Sequence, residues 1–79
     1  LLAARVDLVS TVGNENQHLR MKISKDNTTV NCIGFGMGKY ASELKHGMLI
    51  DIAFTLEINN YMNTESVQLA LKDIRVSEQ

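Results

Sequence analysis

The sequence predicts a small all-β barrel of five strands with one short helix near its middle, and three observations carry that prediction. Apolar residues recur with period two before Asn31 and again after Gly47. Only one stretch has helical spacing, Met37, Tyr40, Ala41 and Leu44 at i, i+3, i+4 and i+7, with Lys39, Ser42, Glu43 and Lys45 on the other side. Clusters of glycine, asparagine and aspartate separate the alternating runs, and the absence of proline is compatible with every strand being fully paired.

Seventy-nine residues make one domain, spanning 1–79. At this size folding buries only about 60 % of the surface the unfolded chain exposes, so stability should be modest. Hydrophobic residues at 44 % and charged residues at 22 % suit a soluble globular chain. No apolar run approaches the roughly 20 residues that span a membrane. The chain opens at Leu1 without a signal-peptide layout, which suggests a piece cut from a longer protein. A lone cysteine, Cys32, cannot form an internal disulfide and fits a reducing compartment such as the cytoplasm. With a net charge of −1, no global field draws in nucleic acid, and any such binding must come from a local patch.

Taken in order, the first strand is expected over Arg5–Val12, where Val6 and Leu8 give way to a shifted phase through Val9, the mark of a bulge or bend. Gly13-Asn14-Glu15-Asn16 reads as a turn. From Gln17 to Lys25 the alternation is strict: Leu19, Met21 and Ile23 face the core while His18, Arg20, Lys22 and Ser24 face out. Lys25-Asp26-Asn27 closes a hairpin, because Asp and Asn tolerate positive φ. Thr28–Phe35 returns as the third strand, with Val30 and Cys32 on one face, Asn31 and Ile33 on the other, and a bulge expected at Gly34. The short helix follows, ended by Gly47. Met48–Ile58 is the strongest strand, Ile50, Ile52, Phe54, Leu56 and Ile58 all facing one way. Asn59–Glu65 reads as a polar loop interrupted by Tyr61 and Met62. Ser66–Val76 is the last strand, with Val67, Leu69 and Leu71 inward until the phase slips at Asp73 and passes to Ile74 and Val76. The order β-β-β-α-β-β with long coiled strands is that of the five-stranded Greek-key barrel called the OB-fold. An SH3-like barrel is the alternative, but it would not place a helix between strands three and four.

On an OB barrel, strands two and three and the loops joining strands one to two and four to five usually bind oligonucleotides. His18, Arg20 and Lys22, with Lys25 just beyond and no acid between Gln17 and Lys25, offer a phosphate track there. The same pattern is also that of a solvated strand face. Asn31 lies on the neighbouring strand, and Tyr61 sits in a polar loop where a base could stack on its ring. Tyr40 and Phe54 fall on apolar stripes and are assigned to the core. Phe35 is ambiguous, either on the binding face or inward beside the helix. The glycines between Gly34 and Gly38 lack the Gly-Lys-Ser/Thr ending of a phosphate-binding loop and read as turn chemistry. No metal-ligand spacing exists, and no serine, cysteine or carboxylate has a recognisable catalytic partner.

The segments Ile33-Gly34-Phe35-Gly36-Met37-Gly38, Glu43-Leu44-Lys45, Asp51-Ile52-Ala53-Phe54-Thr55-Leu56-Glu57-Ile58-Asn59 and Gln68-Leu69-Ala70-Leu71-Lys72-Asp73-Ile74-Arg75 resemble the C-terminal OB domain of the bacterial single-stranded-DNA-specific exonuclease RecJ. They cover about half the chain, in the family's order. The resemblance implies a non-catalytic, single-stranded-DNA-binding module of a 5′-to-3′ exonuclease of recombination and repair. The family's Mg- or Mn-dependent chemistry belongs to a separate core with clustered aspartates and histidines, none of it in this sequence. Tyr61 occupies the place of a usual family aromatic before the last strand, although Met62-Asn63 stands where a glycine turn is common. Two rivals remain: a barrel that docks against the catalytic core of its own polypeptide or a partner such as single-stranded-DNA-binding protein, and a module of another nucleic-acid enzyme that reads RNA.

Overall fold

Strict alternation in the second strand builds the barrel wall. The computed structural model describes residues 2–77, with only the backbone of Tyr61. In it β2 (His18–Lys25) buries Leu19, Met21 and Ile23 to 2 % exposure or less. It pairs antiparallel with β1 (Leu2–Val12) on one side and β3 (Thr28–Gly34) on the other. With β4 (Leu49–Tyr61) and β5 (Thr64–Val76) the sheet closes in the order β1-β2-β3-β5-β4. β1 completes it by pairing through Leu2–Arg5 with β4 and through Arg5–Val12 with β2. Only the β3–β5 pair is parallel. This is the all-β, five-stranded barrel expected of an OB-fold.

Two bulges let the long strands coil round a core that includes Val6, Leu19, Met21, Ile23, Cys32, Ile50, Ile52, Leu69 and Ile74. In β1 the register passes from Val6–Ile23 to Leu8–Lys22, leaving Asp7 as the extra residue where the alternation changes phase. In β5 it passes from Leu71–Phe54 to Asp73–Ala53, leaving Lys72 extra, so that Ile74 turns inward as the sequence predicts, whereas Val67 and Val76, also expected inward, are exposed near the two ends of the strand. The β2–β3 turn holds Asp26 at φ 51° and Asn27 at φ 67°, the pair of positive angles that a tight two-residue hairpin requires.

Four expectations are corrected. The helix between β3 and β4 is a 3-10 helix of five residues, Gly38–Ser42, rather than an eight-residue α-helix. Gly38 has low helix propensity and no side chain caps the start. The stripe still packs: Met37, Tyr40 and Ala41 lie half-buried against the core, and Leu44, carried in by a hydrogen bond from its N–H to the Tyr40 carbonyl (3.2 Å), is fully buried. Gly34 makes no bulge, since the β2–β3 register is unbroken. Its missing side chain leaves room for Met37, whose Sδ would lie 2.9 Å from a Cβ there. The polar loop 59–65 is instead a continuation of both strands round a two-residue turn, with Met62 at φ 50° and Asn63 at φ 65°.

Finally, Phe54 is not a core residue. The face predicted for β4 is correct, but β1 pairs with β4 only as far as Ile52, and beyond Glu57 β4 and β5 run on as a two-stranded ribbon. Phe54, Leu56 and Ile58 are therefore exposed by 36, 60 and 56 %.

Candidate nucleic-acid interface

Cross-strand partners point to the same face of a sheet, so the register lays out the barrel's outer surface in rows. One row runs Leu8, Lys22, Asn31, Gln68, Glu57 and the next Ser10, Arg20, Ile33, Ala70, Thr55. Arg20, Lys22 and Asn31 are all exposed. With Leu8 and Ser10 they line a shallow hollow of about 370 Å³. Two residues of strand separate the guanidinium-bearing Arg20 from Lys22, about 7 Å. Among the described residues the only ion pair is Arg5–Asp7, so Arg20 and Lys22 face solvent without a carboxylate partner. Glu57, at the far end of the row, accepts a hydrogen bond from Gln68 Nε2 at 3.0 Å.

The remaining predicted residues fall elsewhere. Lys25 has the parity of Leu19, Met21 and Ile23, and it lines a hollow at the end of the barrel with Leu2, Ile23, Asp26 and Val30. It therefore does not extend the Arg20–Lys22 row. His18 begins β2 and is half-buried. Its Nδ1 accepts the Gly36 backbone N–H at 2.9 Å, so the neutral ring carries its proton on Nε2. The side chain of Tyr61 lies outside the described residues.

Phe35 is the residue that sequence reasoning left open. It stands 66 % exposed beside His18, ring centroids 5.4 Å apart and planes at 74°. A pointer was present in the sequence: Asn31, Ile33 and Phe35 keep one parity while Val30 and Cys32 turn in.

A larger hollow, about 770 Å³, is lined by Arg5, Asp7, Ser24, Lys25 and Asp26, beyond the Lys22 end of the track and sharing neither Arg20 nor Lys22 with it. Three of its polar side chains are engaged with one another, Arg5 with Asp7 (3.4 Å) and Ser24 with both. Among the described residues no group of three or more His, Cys, Asp or Glu could hold a metal ion, and no helix is long and apolar enough to cross a membrane. Burial pushes the Cys32 thiol up to about 12, which removes it as a nucleophile at neutral pH.

A closed five-stranded barrel with exposed Arg20 and Lys22 on β2 and Asn31 beside them on β3 has the form of an oligonucleotide-binding barrel. Residues 1–73 match the family model of the RecJ OB domain, and the chain belongs to that family. It is 31 % identical over 70 residues to the single-stranded-DNA-specific exonuclease RecJ of Bacillus subtilis (strain 168), an alignment that takes in 89 % of this chain and 9 % of that protein. The chain thus spans less than a tenth of the length of this curated relative. Among solved structures it is similar to an aspartyl-tRNA synthetase assigned in Leishmania major Friedlin (TM-score 0.74, 14 % identity, 94 % of this chain and 16 % of that one). It is also similar to a chain of a replication protein A heterotrimer bound to single-stranded DNA (TM-score 0.68, 14 % identity, 99 % of this chain and 56 % of that one). At 14 % identity these two share the fold.

Proposed function

We propose that this domain holds single-stranded DNA, without catalysing its cleavage, for a RecJ-type 5′-to-3′ exonuclease acting in recombination and repair in the bacterial cytoplasm. The observation that carries the reading is the pair Arg20 and Lys22, exposed on adjacent outward positions of β2 with no carboxylate partner among the described residues. Asn31 beside them adds a hydrogen-bonding side chain, and Tyr61 belongs to the proposed interface by its place before the β4–β5 turn. His18 and Lys25 flank the track at its two ends. The relative's specificity for single-stranded DNA and the single-stranded DNA bound by the replication protein A heterotrimer agree with this assignment. Magnesium or manganese would serve the catalytic core of the parent polypeptide.

One observation favours a second reading, docking to that catalytic core or to a partner such as single-stranded-DNA-binding protein. β4 and β5 expose Leu56, Ile58 and Val67 by 60, 56 and 46 % on one face, and exposed apolar patches often mark protein contacts. Titration of a fluorescent oligonucleotide at two salt concentrations separates the readings. DNA binding gives a salt-dependent affinity, whereas pure docking leaves nothing to measure at low salt.

A further inference from the structure

We infer that Phe35 is a base-stacking platform at the upper end of the β2 track and that His18 is the residue that positions it. The inference rests on the single-stranded-DNA reading above and assigns to that site a residue outside the phosphate row.

Phe35 is the residue after β3 ends, two positions beyond Ile33, which pairs with Arg20. At about 3.3 Å per residue the ring therefore stands some 7 Å past the Arg20 row, along the direction that leads from Lys22 through Arg20 to His18. It is 66 % exposed. An exposed phenylalanine on a turn ordinarily has several rotamers, but this one lies against the His18 ring, which is itself held on two sides. The Gly36 N–H, next in the chain, is hydrogen-bonded to His18 Nδ1 at 2.9 Å. The His18 ring meets Phe35 at 74°, which engages the edge of one ring and leaves a flat face of Phe35 open to solvent. Gly13, at φ +89°, lies on the other side of the histidine: a Cβ there would come within 2.9 Å of His18 Cδ2 and would push the ring aside. Gly36 itself has φ +72°, which permits the turn that brings its N–H back to the imidazole.

Such an arrangement suits a nucleobase. Every base has a π-face, so stacking on an ordered ring needs no particular sequence and releases no counterion. The ring adds affinity where the row of charges adds attraction to the backbone. An apolar protein partner could also use an exposed phenylalanine, and the test distinguishes the two.

The test is oligothymidine binding by fluorescence anisotropy at low salt, using the full 79-residue chain and its variants, with folding checked by circular dichroism. Phe35→Leu keeps an apolar side chain but removes the π-face, and it should weaken binding by about 5- to 150-fold without altering the salt slope. Phe35→Trp should bind at least as well as the parent. Because the sequence contains no tryptophan, the emission of that variant is a site-specific reporter that should be quenched on adding the oligonucleotide. His18→Ala should weaken binding without changing the slope, and His18→Asn, whose Oδ1 can accept the Gly36 N–H, should restore much of the loss. Full binding by Phe35→Leu overturns the platform and leaves the charged track standing. So does tryptophan emission from Phe35→Trp that stays unquenched in a complex still dependent on Arg20 and Lys22. If the parent chain shows no affinity at all, both assignments fall, and Phe35 is better read as a protein contact.

Discussion

Removing the charges of Arg20 and Lys22 should abolish most of the salt dependence of DNA binding, and the structure fixes how much there is to abolish. Three cations lie within one strand, but Lys25 has core-side parity at the barrel's end, so only Arg20 and Lys22 share the outward face. Two neutralised phosphates at roughly −0.7 each give a slope of log K against log salt of about −1.4 for single strands. Between about 50 and 200 mM salt, affinity should then fall about sevenfold. Three neutralised phosphates would give a slope of about −2.1 and a fall of about eighteenfold. Arg20→Gln with Lys22→Gln should bring the slope close to zero, while Lys25→Gln should leave it unchanged. Anisotropy titrations at four salt concentrations resolve these cases. A slope that drops by about 0.7 in Lys25→Gln, or that survives the double substitution, would refute the assignment of the track to β2's outward face.

Leu44→Ala should cost about 2–5 kcal/mol, because the side chain is 4 % exposed and its loss leaves a cavity between the 3-10 segment and the barrel. Phe54→Ala should cost less, about 1–2 kcal/mol, since 36 % of that residue is already in solvent; denaturant melts of both variants show which is larger. Cys32 should resist thiol reagents until the chain unfolds. Its thiol is raised from 9.0 to about 12 by burial, so between those values the folded state retains a proton the unfolded chain loses, and stability should fall as pH rises through that window. Equilibrium melts at about pH 8 and about pH 10.5 check the sign against a Cys32→Ala control. The purified domain should digest no DNA in magnesium or manganese, because its described residues offer no clustered ligands to activate water. Metal-dependent cleavage that co-purifies with the domain through successive columns would contradict this.

The residues that were legible in the sequence are those whose local pattern and tertiary role coincide. Leu19, Met21 and Ile23 are buried where alternation places them, Asp26 and Asn27 take the positive φ their side chains tolerate, and the phase changes near Asp7 and Lys72 are real bulges. Alternation, however, reports which face a residue is on and not whether anything covers that face. Phe54, Leu56 and Ile58 keep the parity of Ile50 and Ile52 but are left uncovered, because β1 pairs with β4 only as far as Ile52 and, at Ile58, β5 has no β3 neighbour either. The turn at Met62-Asn63 stands where the family resemblance places one, with Asn63 at positive φ, but the extension of both strands up to it was hidden by the polar residues on either side. Lys25 lies close to Arg20 and Lys22 in sequence, but its odd number already placed it with Ile23. The family resemblance identified the family correctly and pointed to the β4–β5 turn, but it was silent on the exposure of Phe54 and on the parity of Lys25.

The row that contains Lys22 also contains Glu57, and this makes the path of a bound strand testable. Glu57 lies on β4, separated from β2 by β3 and β5, three inter-strand spacings of about 4.8 Å or roughly 14 Å in all. That exceeds the Debye length of about 8 Å at physiological salt, so a phosphate held at Lys22 is largely screened from the Glu57 carboxylate. DNA that runs along β2, from Lys22 past Arg20 towards Phe35, should therefore be insensitive to Glu57→Gln. DNA that crosses the sheet would pass beside the carboxylate, and neutralising it would remove a like-charge contact and tighten binding. The continuous alignment of Lys22, Arg20, His18 and Phe35 predicts the first course, with affinity changed less than about twofold in roughly 150 mM salt. A marked gain in affinity by Glu57→Gln at that salt would show that the strand crosses β3 and β5 instead, and would place the bases over Ile33 and Ala70.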